Sequence, residues 1–397
     1  MYRSQWSISL LAAGALAVMA APAMADQKPC IGNSGPLTGP AAFGGAAVKY
    51  GAEVAIDEIN EAGGVLGQKL SLIQYDDAGA PPRGVDNVRR IALSDKCIGI
   101  FGGYHSTVGL AQVGPVNEIG IPWIGTTGAG TKITENGASP NYMFRVSAKD
   151  KWVSQFLASE ALKASKTGKV AIMYENTGWG NGALPDFKAA MEAKGKTVAA
   201  VETFNWNDQD MSAQAIRIRD SGADTVVTFA LDREGNQIVR SFDKIGYKPT
   251  IVGAWGIAGN LGDLAGPLAN GVRVMQTFTW MGEMNPRTKA VWEKIKKKFG
   301  LKDPSELKMG SATANSYDAV YILAKAIEKA GSYDWKKVHD ALYTVKYDGL
   351  VAKYDPAFDA SNPERQDAIL PQYYKLTVWS DGKLLPIEQT VYGKANN

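Results

Sequence analysis

Histidine and cysteine are nearly absent from this chain, two of each in 397 residues. His339 lies in a helix-like stretch away from any motif. His105, beside Ser106, has no acidic neighbour to complete a nucleophile–base–acid set, so nothing supports a hydrolase triad. No spacing of histidine, cysteine and carboxylates matches a metal centre, and neither a metal nor a cofactor is expected. Residues 125–132 superficially echo a phosphate loop. Their order, Gly130-Thr131-Lys132, is wrong for the Gly-Lys-Ser/Thr that cradles phosphate. An excess of one charge is also missing: 43 basic residues face 40 acidic ones, for a net charge of +3. That balance is no nucleic-acid footprint, and no run of like charge suggests a membrane surface. The basic cluster 294–298, interrupted by Ile295, reads as the wet side of a helix. Low-complexity linkers are lacking, which favours lobes joined by ordered crossovers over tethered beads.

A sustained apolar run is present at the very start. Residues 8–20 follow Arg3 and lead to Ala23-Met24-Ala25, the small-x-small pattern of a cleavable export signal over 1–25, cut after Ala25. The run is shorter than the roughly 20 residues a membrane span needs, so the mature chain is expected not to be membrane-inserted. An uncleaved anchor is the alternative, and Lys28-Pro29 before Cys30 do not form a lipobox. The part beyond Ala25 is longer than one core usually serves, which predicts two domains.

In an exported chain two cysteines fit one disulfide. Cys30 and Cys97 each precede a strand-like run, from Ile31 and over 98–101. If those strands are neighbours, as the first and third of a doubly wound sheet are, the cysteines share an edge and can bridge; two buried thiols are the alternative.

Strand-like and helix-like patterns alternate throughout, which implies parallel sheets covered on both faces. In the first helix Val48, Ala52, Ala55 and Ile59 recur on one face of a 3.6-residue period, and Gly63-Gly64 stops it. Strands are read at 70–75, 98–101 and 122–125. After Asp150 the alternation restarts: helix 152–163, strand 170–174, helix 183–193, strand 198–204, helix 211–220, strand 225–230, helix 236–245 and strand 250–253. A strand at 271–277, helices at 286–299 and 312–329, and a hairpin around Asp381-Gly382 complete the chain.

Ligands of open α/β sheets bind beyond the carboxyl ends of the strands. The loops predicted there hold Ser34 to Phe43, then Gly102-Gly103-Tyr104-His105-Ser106-Thr107, and Gly125-Thr126-Thr127-Gly128-Ala129-Gly130. The second loop opens a helix, and a helix amino terminus with hydroxyls is suited to a carboxylate. Taken singly, each serine or threonine is as well explained as a helix cap. The second half supplies Asn176-Thr177-Gly178-Trp179-Gly180, Leu231-Asp232-Arg233-Glu234 and Ala254-Trp255-Gly256. Trp179 and Trp255, in loops flanked by glycine, are candidates for cleft aromatics. The other tryptophans, among them Trp123 and Trp206, are read as packing.

Gly35-Pro36-Leu37-Thr38-Gly39, the run Ala55-Ile56-Asp57-Glu58-Ile59-Asn60 with Gly63-Gly64, and Tyr75-Asp76-Asp77 resemble the periplasmic leucine/isoleucine/valine-binding proteins. These are the solute-binding components of ABC transporters for hydrophobic amino acids. The resemblance implies a type I periplasmic-binding fold: α/β, two Rossmann-like lobes with parallel sheets, three crossovers, and a cleft that closes by hinge bending. The expected lobes are 26–147 with 278–348, and 148–277 with 349–397. It further implies a periplasmic, monomeric binding protein rather than an enzyme, with a small-molecule ligand and an ABC permease as partners. Carried over by position, Phe43, Ser106 or Thr107, Thr127, Ala129 and Trp179 stand at ligand contacts, and the full candidate set adds Tyr104, His105, Thr126, Leu231, Asp232 and Trp255.

Two positions depart from the family pattern. Leu231 replaces a tyrosine, and Trp255 replaces the glutamate that pairs with the ligand ammonium. A buried ammonium without a partner is costly. The expected ligand is therefore a carboxylate with an apolar or aromatic body, stacked by Trp179, Trp255 and Phe43. The alternatives are an amino acid held by Asp232 or Glu234, or a ligand-sensing subunit on the same fold.

Overall fold

The computed structural model describes Met1 and residues 29–394. The export signal and its cleavage site lie outside the described residues. Five strands form the first sheet: β1 (Cys30–Gly35), β2 (Ser71–Asp76), β3 (Gly99–Gly102), β4 (Trp123–Gly125) and β5 (Met143–Arg145). Their spatial order is β2-β1-β3-β4-β5, all parallel. The second sheet is built from β6 (Val170–Glu175), β7 (Val201–Phe204), β8 (Thr225–Phe229), β9 (Thr250–Gly253) and β10 (Arg273–Gln276). Here the parallel order β7-β6-β8-β9-β10 repeats that of the first sheet. A short antiparallel pair, β11 (Tyr347–Asp348) and β12 (Lys353–Tyr354), stands apart. The carboxyl-terminal hairpin, β13 (Lys375–Ser380) and β14 (Lys383–Pro386), then extends the second sheet antiparallel beside β10.

The element order predicted from the alternating pattern is present, with three physical differences. The helix read at 183–193 begins at Gly178, and the one read at 236–245 begins at Asp232. The sequence assigns both first turns to the loops at strand ends. Thr177 caps the first by accepting from the Trp179 N–H, and Asp232 and Glu234 sit where the second helix's dipole favours anions. Strand β5 was missed. It is three residues long and ends in Arg145, whose charge is neutralised only by a distant partner.

Cys30 and Cys97 are disulfide-bonded. The bridge follows from the register, since Ile31 is opposite Gly99 in the β1–β3 pair. The helices Ala42–Glu61 and Gly310–Ala330 pack against each other beside the first sheet. Gly51 permits this contact: a Cβ there would lie 1.9 Å from the Thr313 carbonyl oxygen.

The chain passes between the sheets three times: after β5, after β10, and in the return to β13. A buried ionic cluster ties the first of these passages to the last. Arg145 Nε donates to Asp367 Oδ1, Lys149 Nζ lies 3.1 Å from Asp367 Oδ2, and Lys149 also pairs with Glu135 at 2.6 Å. Among the described residues no helix is long and apolar enough to cross a membrane.

Candidate functional site

In both sheets strand order reverses beside the first strand, β1 in one and β6 in the other. A crevice opens at such switch points beyond the carboxyl ends of the strands. The two crevices face each other across a small chamber. One wall comes from the loops after β3 and β4, the other from the ends of β6, β7, β8 and β9.

The first wall is built on a helix amino terminus. The helix Ser106–Ile119 starts directly after β3, and no side chain caps its amino terminus. Its first-turn N–H groups have no intrahelical acceptor, and Ser106 and Thr107 of that turn line the chamber. The turn leading in depends on Gly102 and Gly103, at φ +121° and +70°; a Cβ on Gly103 would sit 2.4 Å from the Trp123 ring. Ser106 Oγ accepts from the Gly130 N–H at 3.0 Å, which leaves its own proton free to donate. Thr127 Oγ1 is buried without a partner, as is Nδ1 of His105. Burial lowers the His105 pKa to about 4, so its ring is neutral at physiological pH. Neither serine nor threonine of the second loop is a plain helix cap, the alternative the sequence allowed.

The opposite wall is aromatic. Trp179 and Trp255 are both buried and line the chamber. Trp179 lies in the first turn of its helix and donates from Nε1 to Asp150 Oδ1 at 3.2 Å. Trp255 opens a short 3₁₀ turn after β9. Gly256 lets the Trp179 ring lie against this turn, since a Cβ there would approach it within 2.8 Å.

Nine of the twelve candidate ligand residues line this chamber: Tyr104, His105, Ser106, Thr107, Thr127, Ala129, Trp179, Leu231 and Trp255. Phe43 and Asp232 line a larger adjoining cavity of about 1440 Å³, open to solvent. Thr126 lines neither. Its hydroxyl donates to the Gly102 carbonyl, and its own carbonyl accepts from Asn315, so it fastens the loop to β3 and to the helix Gly310–Ala330.

Three lining residues escaped the sequence reading. Glu175, the last residue of β6, is buried at the chamber, accepting from the Thr177 hydroxyl and from Trp206 Nε1 at 2.9 Å. Burial, reinforced by nearby Glu234, raises its pKa to about 7. Trp206 was read as packing but lies over the cleft, its ring centroid 5.8 Å from that of His105. Met309 enters from the turn before the helix Gly310–Ala330. An acid at the end of a strand was a signal available for Glu175; nothing local marked the other two.

Asp232 and Glu234, the proposed substitutes for the missing ammonium partner, both border the outer cavity. Asp232 Oδ1 accepts from the Gly259 and Leu261 N–H groups, and burial raises its pKa to about 7. The carboxyl group that lines the inner chamber is that of Glu175.

The model of one protein family, described as periplasmic binding protein, matches residues 30–380. The chain belongs to the periplasmic binding protein family. Among curated members of that family it is similar to Leu/Ile/Val-binding protein homolog 3 of Brucella melitensis, 29% identical over 377 residues, covering 90% of this chain and 93% of that protein. Among solved members, the type 1 periplasmic binding protein of Bordetella pertussis superposes with a TM-score of 0.81 at 25% identity, over 90% of this chain and 99% of that one. A Rhodopseudomonas palustris ABC-transporter solute-binding protein in complex with 4-hydroxybenzoate gives a TM-score of 0.76 at 22% identity, over 90% and 95%. These matches establish the type I periplasmic-binding fold with two α/β lobes.

Proposed function

We propose that this periplasmic binding protein captures a small carboxylate with an apolar or aromatic body and presents it to an ABC-transporter permease. The observation that carries this reading is the asymmetry of the chamber. One wall offers an uncapped helix amino terminus with the Ser106 and Thr127 hydroxyls, and the other offers the Trp179 and Trp255 rings. Fixed donors hold an anion, and flat apolar faces hold its body. The Brucella relative named for leucine, isoleucine and valine and the fold's occupancy by 4-hydroxybenzoate in Rhodopseudomonas are both carboxylate precedents.

Capture works through differential closure. The moving bodies follow the expected division, 26–147 with 278–348 against 148–277 with 349–397, except that the last passage between them falls later in the chain. Residues 349–369 stay with the first body, because Asp318 accepts from the Leu350 and Val351 N–H groups and Asp367 pairs with Arg145. A solute touching both walls only in the closed form stabilises closure by that difference in contact. Function is then binding without turnover, in the periplasm, by a monomer freed of its export signal.

A second reading has its own observation. An α-amino acid seated on the same cradle would direct its ammonium to Glu175, the carboxyl group of the inner chamber. The test is a thermal-shift screen of aromatic acids, aliphatic acids and amino acids, since binding raises stability by RT ln(1 + [L]/Kd). Isothermal titration of the best ligand against Trp255→Ala follows. Loss of a stacked ring is expected to weaken affinity by about tenfold or more. Unchanged affinity would remove Trp255 from the site, and a screen in which no carboxylate binds would reject the ligand class.

A further inference from the structure

We infer that Trp206 is the wall that limits the length of solute the inner chamber accepts; this rests on reading that chamber as the solute site. The inner chamber and the larger outer cavity share four lining residues: Tyr104, His105, Trp206 and Leu231. Tyr104 and His105 are buried parts of the turn after β3. Tyr104 is further fixed by lying over Gly44, where a Cβ would come within 2.1 Å of its ring. Leu231 sits on the backbone that starts the helix Asp232–Lys244. Trp206 differs from these three. It stands on the loop after β7, is 37% exposed, and reaches from the second lobe to the His105 ring of the first.

The loop is built to hold the indole there. Trp206 Nε1 donates to Glu175 Oε2 at 2.9 Å. On one side of it the Asn205 N–H donates to Asp208. On the other side the Asn207 N–H donates to Glu234 at 3.1 Å, and the Arg233 guanidinium donates to the Asn207 side chain. Asn207 adopts φ +72°, a conformation asparagine tolerates better than most residues. A flexible surface loop needs none of these ties. Together they fix a flat, rigid ring between the smaller chamber and the larger cavity.

A solute whose carboxylate rests on the Ser106 cradle is therefore stopped at the indole. Without the indole the chamber joins the outer cavity, where Phe43 offers an apolar face. Carboxylates with longer arylalkyl bodies then fit, and short ones lose a packing surface.

The experiment compares benzoate with 4-phenylbutyrate by calorimetry on the wild type, Trp206→Ala and Trp206→Phe, together with crystal structures of the two variants. Over one-third exposure of Trp206 leaves the cores of both lobes untouched, and unfolding midpoints check this. Trp206→Ala is expected to shift the affinity ratio toward 4-phenylbutyrate by about tenfold or more, through the extra buried methylenes, and to merge the two cavities. Trp206→Phe keeps a ring in place and is expected to keep the wild-type preference for the shorter acid, although its bond to Glu175 is gone. An unchanged ratio in Trp206→Ala overturns the inference, as does a variant structure in which a neighbour refills the gap. If no variant binds either acid while the cavities merge, the wall stands and the assignment of the ligand class fails.

Discussion

Glu175 provides the sharpest way to tell a plain carboxylate ligand from an amino acid. Its carboxyl group is buried at the inner chamber, and burial lifts its pKa from 4.5 to about 7 against the opposing bonds from Thr177 and Trp206. Near neutral pH it is thus about half protonated in the free protein. An anionic solute seated beside it favours the protonated form, because two carboxylates in one low-dielectric site repel. An ammonium favours the ionised form. If the solute binds only one protonation state, linkage with a free-protein pKa of about 7 changes Kd by roughly tenfold between about pH 6 and about pH 8. The sign is diagnostic. A simple carboxylate binds more tightly at the lower pH, and an amino acid whose ammonium faces Glu175 binds more tightly at the higher. Two other buried acids, Asp150 and Asp232, also have pKa values raised to about 7, whereas His105 at about 4 is silent in this window. Glu175→Gln separates these contributions. Titration calorimetry at the two pH values, on the wild type and this variant, is the assay. A flat wild-type profile for both ligand classes would refute the reasoning, and so would a slope that survives intact in Glu175→Gln.

Two further predictions concern what holds the site in place. Trp179→Phe keeps an aromatic face but removes the donor to Asp150, whose second oxygen already lacks a partner. Asp150 holds its proton up to about pH 7, above its unfolded value, so ionisation destabilises the fold as pH rises through 7 and the indole N–H opposes that. The variant should lose about 1–3 kcal/mol at about pH 8 and clearly less at about pH 6 in urea denaturation; equal losses at both would mean the pair does not form. Asp367→Ala leaves Arg145 and Lys149 buried with only Glu135 to share, and a loss of about 3–5 kcal/mol is expected. A loss below about 1 kcal/mol would show that the first and last passages between the lobes are not held by this cluster.

Short-range physics made the βα alternation, the first helix and its Gly-Gly stop readable, because each depends on residues within one or two turns of each other. The disulfide was readable too, since a doubly wound order puts the strands after Cys30 and Cys97 side by side, and the β1–β3 register does so. The loops that line the chamber came from the same logic of strand ends. The first turns at Gly178 and Asp232 were not legible, because the apolar period of each helix starts only later.

The sequence by itself determined a two-lobed α/β binding protein, since periodicity, glycine placement and family motifs are written locally. Tertiary structure alone decided which side chains complete the chamber. Arg145 is a strand residue because Asp367 neutralises it from 222 positions away. Trp206 faces the cleft because Glu175, Glu234 and Arg233, on other elements, tie down its loop. Phe43 and Asp232 line the outer cavity rather than the inner chamber, with Tyr104, His105, Trp206 and Leu231 bordering both. Such placements depend on distances between residues far apart in the chain, and no local pattern encodes those distances.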